Sequence, residues 1–414
     1  MTAAQNDPEN ALPPVTSGQL QQLAGGLREH SGFVDVLTSL QQGHGGTIGG
    51  TWGAASSLAV AAIASARAKE QEGLVVVVVP HAVDADIFAD DLALFTSLGV
   101  DVLPALESID DLSADNETLI NDPAEAKRLA SVKRLVDYSD ESPRILVTSM
   151  QAVLTPLPDP RQIEESTRHL TLGAQVDPQE LAEWLTYRGW KQVDTLDSPG
   201  SFARRGGIID LFASDWERPV RLELNDDEID SLRTFDTVSQ RSIQSLDSVD
   251  LTALQSVSKN NRRAWLTDIV PSGTWWSLIE PQELLDEGKR LATILPSEHV
   301  LQSEEFLARV YRFPSVILSA IAPTSLETTA HLAVESVERF TGQLDRVCHE
   351  LDTVGKDQAV WIVTPTEAEE QRLSELLSPS IPAQAGRLHF IQGRLSARFR
   401  LVPEKLVQIG RAHV

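Results

Sequence analysis

Apolar and polar positions alternate along the chain with two different periods. Leu20, Leu23 and Leu27, preceded by Ser17 as a cap, keep helical spacing, and a second helical stretch follows over 33–40. The run LVVVVVP at 74–80 is unbroken and β-branched, which predicts a strand buried on both faces of a parallel sheet. Between these lies GHGGTIGGTWGAASS at 43–57, a glycine-rich loop opening an alanine-rich helix that runs to about Lys69. A helix over 82–98, a short strand at 100–103, a helix over 123–138 and a strand at 144–149 complete an alternation that predicts a doubly wound α/β domain.

The proline cluster Pro156, Pro158 and Pro160 reads as a boundary. Beyond it, 177–190 predicts a well-marked helix: Asp177 at the N-cap, Pro178 at the first helical position, Glu180 at the third, Leu181, Trp184 and Leu185 on one face, and Gly189 as terminator. Strands are expected at 192–195, 201–212, 220–224 and 229–235, with 225–227 as a hairpin turn, so 157–250 reads as a small α+β unit. From 251 to about 324 the pattern returns to α/β, with strands at 275–279 and 316–318. A further small α/β block covers 325–408: a helix over 337–351, a strand at 359–365, a helix over 367–377 and strands at 388–391 and 405–408. Residues 1–16 read as a disordered leader.

Composition narrows the function classes. The 414 residues are 42% hydrophobic and 23% charged, an ordinary globular balance, with a formal net charge of −25. That charge argues against bulk attraction to nucleic acid or anionic membrane, since phosphates require local Lys and Arg density. A lone cysteine, Cys348, excludes a disulfide framework and fits a reducing compartment. The N-terminus lacks the marks of a signal peptide, and the apolar run at 74–79 is too short to span a bilayer, so the expectation is a cytoplasmic protein without membrane partners.

Candidate chemistry is sparse. A phosphate-binding loop needs a lysine and a hydroxyl after its last glycine, but Gly50 is followed by Thr51, and Gly53 by Ala54 and Ala55. Glu280, after the strand expected at 275–279, stands without a neighbouring aspartate for metal holding. The nine histidines form no metal-ligand pair, no G-x-S-x-G elbow occurs, and no catalytic centre emerges. The stretch 200–242 is the exception to the acidic background. From 201 to 221 the four arginines Arg204, Arg205, Arg218 and Arg221 meet three acids. Two readings stay open: guanidiniums presented to a partner's carboxylates, or a ladder of cross-strand ion pairs.

The segment Gly200, Phe202, Ala203, Arg205 to Asp210, Phe212, then Pro219, Arg221, Glu223, then Asp226 to Asp230, Arg233, Asp236, Gln240 and Arg241 resembles the UvrB-like region of the bacterial transcription–repair coupling factor family (Mfd). Weaker echoes at 103–107, 147–152, 266–268, 279–281 and 393–396 keep the family's order. The resemblance implies a helicase-like α/β domain with a degenerate P-loop at Gly50, Thr51, Gly53, Ala54 and Ala55. Its first part is at 17–156 and its second at 251–324, the inserted domain at 157–250 docks the repair ATPase UvrA, and a small α/β domain at 325–408 follows. Carried over residue by residue, the UvrA-binding positions are Arg205 with Arg204 beside it, Lys191 where arginine is common, Ile209 as an apolar contact, and the pair Arg221 and Glu223. The expected function is recruitment of UvrA to stalled RNA polymerase in nucleotide excision repair, without catalysis by this chain. RNA polymerase, duplex DNA, ATP and magnesium are expected only for a polymerase-binding domain and a translocase motor not present here. Residues 409–414 correspond to what a common sequencing adapter encodes in one frame, which leads to the expectation that the chain is the front part of a longer protein. An active UvrB-related ATPase, a DNA-binding protein and a stand-alone short UvrA adaptor are the competing readings.

Overall fold

The computed structural model describes residues 18–29, 31–68, 73–106, 123–139, 142, 144–254, 263–295, 300–321, 328–336, 344–355, 358–397, 399–401 and 406–409. The expected leader, the cap at Ser17, Lys69, the start of the helix expected from 337 and the run 410–414 lie outside the described residues.

The chain is mixed α/β, built on a seven-stranded sheet in which every pairing is parallel. Its order is Thr328–His331, Gly46–Gly49, Ser315–Ser319, Trp275–Ile279, Val75–Val79, Ile145–Ser149 and Val100–Leu103. The valine run shows why: Val75, Val77 and Val79 enter one core, Val76 and Val78 the other, and all five are buried. Helices Gly18–Leu27, Ser31–Gln41, Ala54–Arg67 and Ala82–Phe95 contribute to the first core, and Pro123–Val136, Met150–Leu154, Pro281–Ile294 and Ser303–Val310 to the second. Burial of each such side chain contributes about 1.5–3 kcal/mol, which is what a continuous β-branched run exploits.

Two strands of this sheet differ from the sequence expectation. Gly46–Gly49, read as loop, is a buried strand, because Gly46 lets Val36 and the Thr328 strand approach closely. Thr328–His331, expected in the last block, forms the edge of the large sheet beside it.

The insertion between Ile145–Ser149 and Trp275–Ile279 folds around its own core. Its six-stranded sheet has the order Ser242–Leu246, Glu228–Phe235, Val220–Asn225, Ile208–Phe212, Ser201–Arg205 and Lys191–Gln192. The helix Pro178–Tyr187 covers one face, capped by Asp177, whose carboxylate accepts from the Gln179 and Glu180 amides. The single strand expected over 201–212 is two strands, since Gly206 at φ 61° and Gly207 turn the chain back on itself. Asp226 at φ 55° and Asp227 form the other tight turn. The two-stranded ribbon Thr167–Thr171 and Ser248–Thr252, not read from sequence, joins the insertion to the large sheet.

A five-stranded mixed sheet follows, ordered Val334–Ser336, Phe399–Leu401, Leu406–Ile409, Ala359–Thr364 and Leu388–Gln392. One face packs on helices Leu344–Val354 and Glu367–Leu377. The other, through Trp361, Val363, Ile391, Phe399 and Leu401, belongs to the same core as the Ala54–Arg67 and Ala82–Phe95 helices. Among the described residues no helix is long and apolar enough to cross a membrane.

Candidate functional site

Strand alternation divides the charged residues of the inserted sheet between its two faces. On the helix-covered face, Phe202, Ile209, Leu211, Val220, Leu222 and Leu232 form the core. On the other face, cross-strand register sets up two rows. The first runs Ala203, Asp210, Arg221, Arg233 and Ser245; the second runs Arg205, Ile208, Glu223 and Ser231. Part of this face is closed by Leu196, which packs with Ala203 and Phe235. The remainder, toward the Gly206–Gly207 turn, faces solvent.

Arg221 is used up internally. Its Nε and Nη2 donate to the two Asp210 carboxylate oxygens at 2.7 and 2.8 Å, Nη2 also reaches Gln240 at 3.1 Å, and the guanidinium lies 4.6 Å from the Phe235 ring centre. The Asp210 carboxylate raises the Arg221 pKa above its ordinary value. Arg233 pairs with Glu223, which also accepts from the Ser231 hydroxyl at 3.1 Å. Arg205 differs: its guanidinium donates to the Asp194 carbonyl and, at 3.2 Å, to the Thr195 hydroxyl. Both acceptors are neutral, so the exposed Arg205 charge is not cancelled by these contacts. Directly opposite sits Ile208, 38% exposed. Lys191, exposed on the edge strand, is in register with Ser201 and so shares this face.

The expected binding set therefore splits. Lys191, Arg205, Arg221 and Glu223 lie on the same side of the sheet: Arg205 and Glu223 in the open part toward the Gly206–Gly207 turn, Arg221 in the row closed by Phe235, and Lys191 at the other end of the Ser201–Arg205 strand. Arg204 projects to the opposite face, where Nη1 donates to Gln179 at 2.7 Å on the covering helix. Ile209 is a correction: it is 1% exposed within the core and cannot offer its side chain to a partner. The apolar side chain that strand presents to solvent is Ile208.

The glycine turn after Gly46–Gly49 has a different character. Gly50 and Gly53 have φ of 75° and 54°; Gly50 is buried, whereas Gly53 is exposed with only its Cβ direction blocked. A methyl group on Gly50 would lie 2.1 Å from the Leu332 carbonyl oxygen, and one on Gly53 would lie 2.6 Å from Ala397 Cβ. Thr51 is fully buried, its amide donating to Ser319 at 3.2 Å, and Ala54 and Ala55 are buried where a lysine and a hydroxyl would be needed. The segment carrying Ala397 is held by Asp91, whose carboxylate accepts from the Ser396 amide at 2.8 Å and from its hydroxyl. Burial pushes the Asp91 carboxyl up to about 6. The turn thus has alanines at 54 and 55, where a phosphate-binding loop has its lysine and hydroxyl. Glu280, which has φ 50°, accepts from the Ala320 amide at 2.7 Å, and burial raises its pKa.

Residues 169–256 match the family described as the UvrB interaction domain. The inserted sheet and its covering helix are thus similar to a UvrB interaction domain. Three curated relatives extend the similarity. A transcription-repair-coupling factor of Bacillus subtilis (strain 168) is 30% identical over 254 residues, 61% of this chain and 21% of that protein. Its counterpart in Mycobacterium bovis (strain ATCC BAA-935 / AF2122/97) is 32% identical over 246 residues, 58% of this chain and 18% of that protein. The UvrABC system protein B of Psychromonas ingrahamii (strain DSM 17664 / CCUG 51855 / 37) is 32% identical over 133 residues, 32% of this chain and 19% of that protein. The chain thus spans about a fifth of the length of these relatives, and its similarity to the coupling factors is consistent with their N-terminal region.

Within the matched segment, Ile208 and Arg233, which the sequence alone did not single out, lie on the same side of the sheet as Arg205. The available signal was the glycine pair: a two-residue turn at 206–207 puts Arg205 and Ile208 opposite each other and on one face.

Proposed function

We propose that this chain serves UvrA-linked nucleotide excision repair as a docking module, non-catalytic at its glycine turn. UvrA binds through the open face of the UvrB interaction domain. Arg205 and Lys191 supply the charge for acidic groups of the partner, and Ile208 supplies an apolar anchor. Arg221, locked to Asp210, stiffens the sheet beneath them, and the Arg233–Glu223 pair borders the contact. The observation that carries this reading is the Arg205–Ile208 row. It is an uncancelled guanidinium beside an exposed isoleucine on a rigid sheet, within the 169–256 match, in a chain of net charge −25. Arginine is among the residues enriched at interface hot spots, where the partner desolvates it. In the longer relatives, by this proposal, the polymerase-binding and ATP-driven translocase functions reside outside the region matched here.

The degenerate P-loop belongs to the same proposal. The occlusion of Gly50 and Gly53 and the alanines at 54 and 55 support a loop that has exchanged phosphate binding for internal packing. Titration of purified UvrA into the 414-residue chain, with a parallel magnesium-ATP turnover assay, tests both parts. Saturable UvrA binding without turnover is expected; turnover, or no UvrA binding at high concentration, overturns the corresponding half.

A further inference from the structure

The backbone passes between the seven-stranded half and the inserted domain at one narrow place. It enters through the helix Pro160–Glu165 and the strand Thr167–Thr171 and leaves through Ser248–Thr252, antiparallel to that strand from Ser248 opposite Thr171 to Thr252 opposite Thr167. At the foot of this ribbon the Thr167 and Thr252 hydroxyl oxygens lie 2.8 Å apart, and the Ala253 amide donates to Ser166 at 2.9 Å. The ribbon itself is packed into the core of the insertion through Leu170, Leu251 and Ala253, so the place where the domain can pivot is the ribbon's foot, where the chain crosses to the large half.

The brace comes from the helix Pro123–Val136. Lys133 Nζ donates to Thr252 Oγ1 at 3.0 Å, at the ribbon's foot, and to Asp215 Oδ2 at 2.7 Å, in the loop between Phe212 and Val220 of the insertion. One ammonium therefore ties together three parts: a helix of the large half, the connecting ribbon and a loop of the inserted domain. The Lys133 and Asp215 side chains are 20% and 4% exposed, so salt screens the pair little. Asp215 Oδ1 is buried with no hydrogen-bond partner, which leaves the carboxylate dependent on the Oδ2 contact. Removing the ammonium would strand a buried charge, and the simplest relief is for the loop to swing out to water.

We propose that Lys133 is the positioning residue of the docking face. It holds the inserted domain at one angle to the seven-stranded half, so that the Arg205–Ile208 row faces a set direction, and its release lets the domain swing at the ribbon's foot. The clause about docking rests on the proposed function; the positioning does not.

The test uses the 414-residue chain carrying Cys348→Ser, with spin labels at Tyr187→Cys in the insertion and Val83→Cys in the large half, both well exposed. The unaltered Lys133 chain gives a narrow distance distribution, and Lys133→Met and Asp215→Asn each broaden it. Hydrogen exchange distinguishes hinge release from unfolding. In Lys133→Met the amides of Thr167, Thr252 and Ala253 at the ribbon's foot exchange about tenfold faster, while those of Val220–Asn225 and Glu228–Phe235 keep their rates. A distribution that stays narrow overturns the proposal. So does faster exchange throughout the insertion's sheet, because Lys133 would then hold the fold and not the angle. Absence of UvrA binding in the separate titration would remove the docking clause and leave the distance measurement decisive for the pin.

Discussion

The glycine turn at 49–55 and the open face of the inserted domain are opposites in sequence and in structure. The turn carries the more suggestive sequence, glycines ahead of a helix, yet Gly50 and Gly53 abut Leu332 and Ala397, Thr51, Ala54 and Ala55 are buried, and Trp52 is half-buried. The sheet face carries a plain sequence of alternating apolar and charged residues, yet it leaves Arg205 with neutral acceptors and Ile208 in solvent. A recognisable motif thus identifies a place in a fold, whereas the capacity to bind is set by what neighbouring segments leave uncovered.

Substitutions sharpen this contrast, and the largest effects belong to the filled turn. Gly50→Ala places a methyl group against the Leu332 carbonyl at a positive φ and is expected to cost about 3 kcal/mol or more of stability, read as a loss of melting temperature. An unchanged melting temperature would mean that the turn is open. Next comes Arg221→Ala, which leaves Asp210 buried and unpaired. A loss of about 3 kcal/mol is expected by denaturant unfolding, with Arg221→Lys recovering only part because an ammonium cannot reproduce the fork.

Asp91 gives a pH-dependent test of the segment that fills the turn. Its carboxyl titrates near 6 in the folded chain against 3.8 as the ordinary value, so the folded state holds the proton to higher pH than the unfolded state does. Wild-type stability at this site is therefore greatest in acid and declines as pH rises from about 4 to about 6, by up to about 3 kcal/mol. Asp91→Asn removes that slope: the variant gains on wild type as pH rises through the window, and parallel melting profiles would count against the buried carboxylate. The smallest effect is expected for Arg204→Ala, at most about 1 kcal/mol in thermal melting, since it loses one half-exposed hydrogen bond to Gln179.

Much of the architecture was legible because period and burial coincide. The valine run, the capped helix after Asp177 and the Trp275–Ile279 strand follow from local pattern alone. What escaped was set by distant partners. Gly46–Gly49 becomes a strand because two other strands flank it. Thr328–His331 joins the large sheet and not the small one for the same reason, and the ribbon at 167–171 exists only through its pairing with 248–252. The site was legible to the level of the strand but not of the face. Reading 201–212 as one strand hid the turn at Gly206, and with it the fact that Ile208, not Ile209, shares a face with Arg205.

Arg204 and Arg205 offer the most direct test, being adjacent in sequence and projecting from opposite faces of the same strand. In calorimetric titrations with UvrA, Arg205→Glu is expected to lose at least about 2 kcal/mol, roughly 30-fold in Kd, while Arg204→Glu changes affinity by less than about threefold. Equal losses from both variants, or the larger loss from Arg204→Glu, would contradict the assignment of the open face as the docking surface.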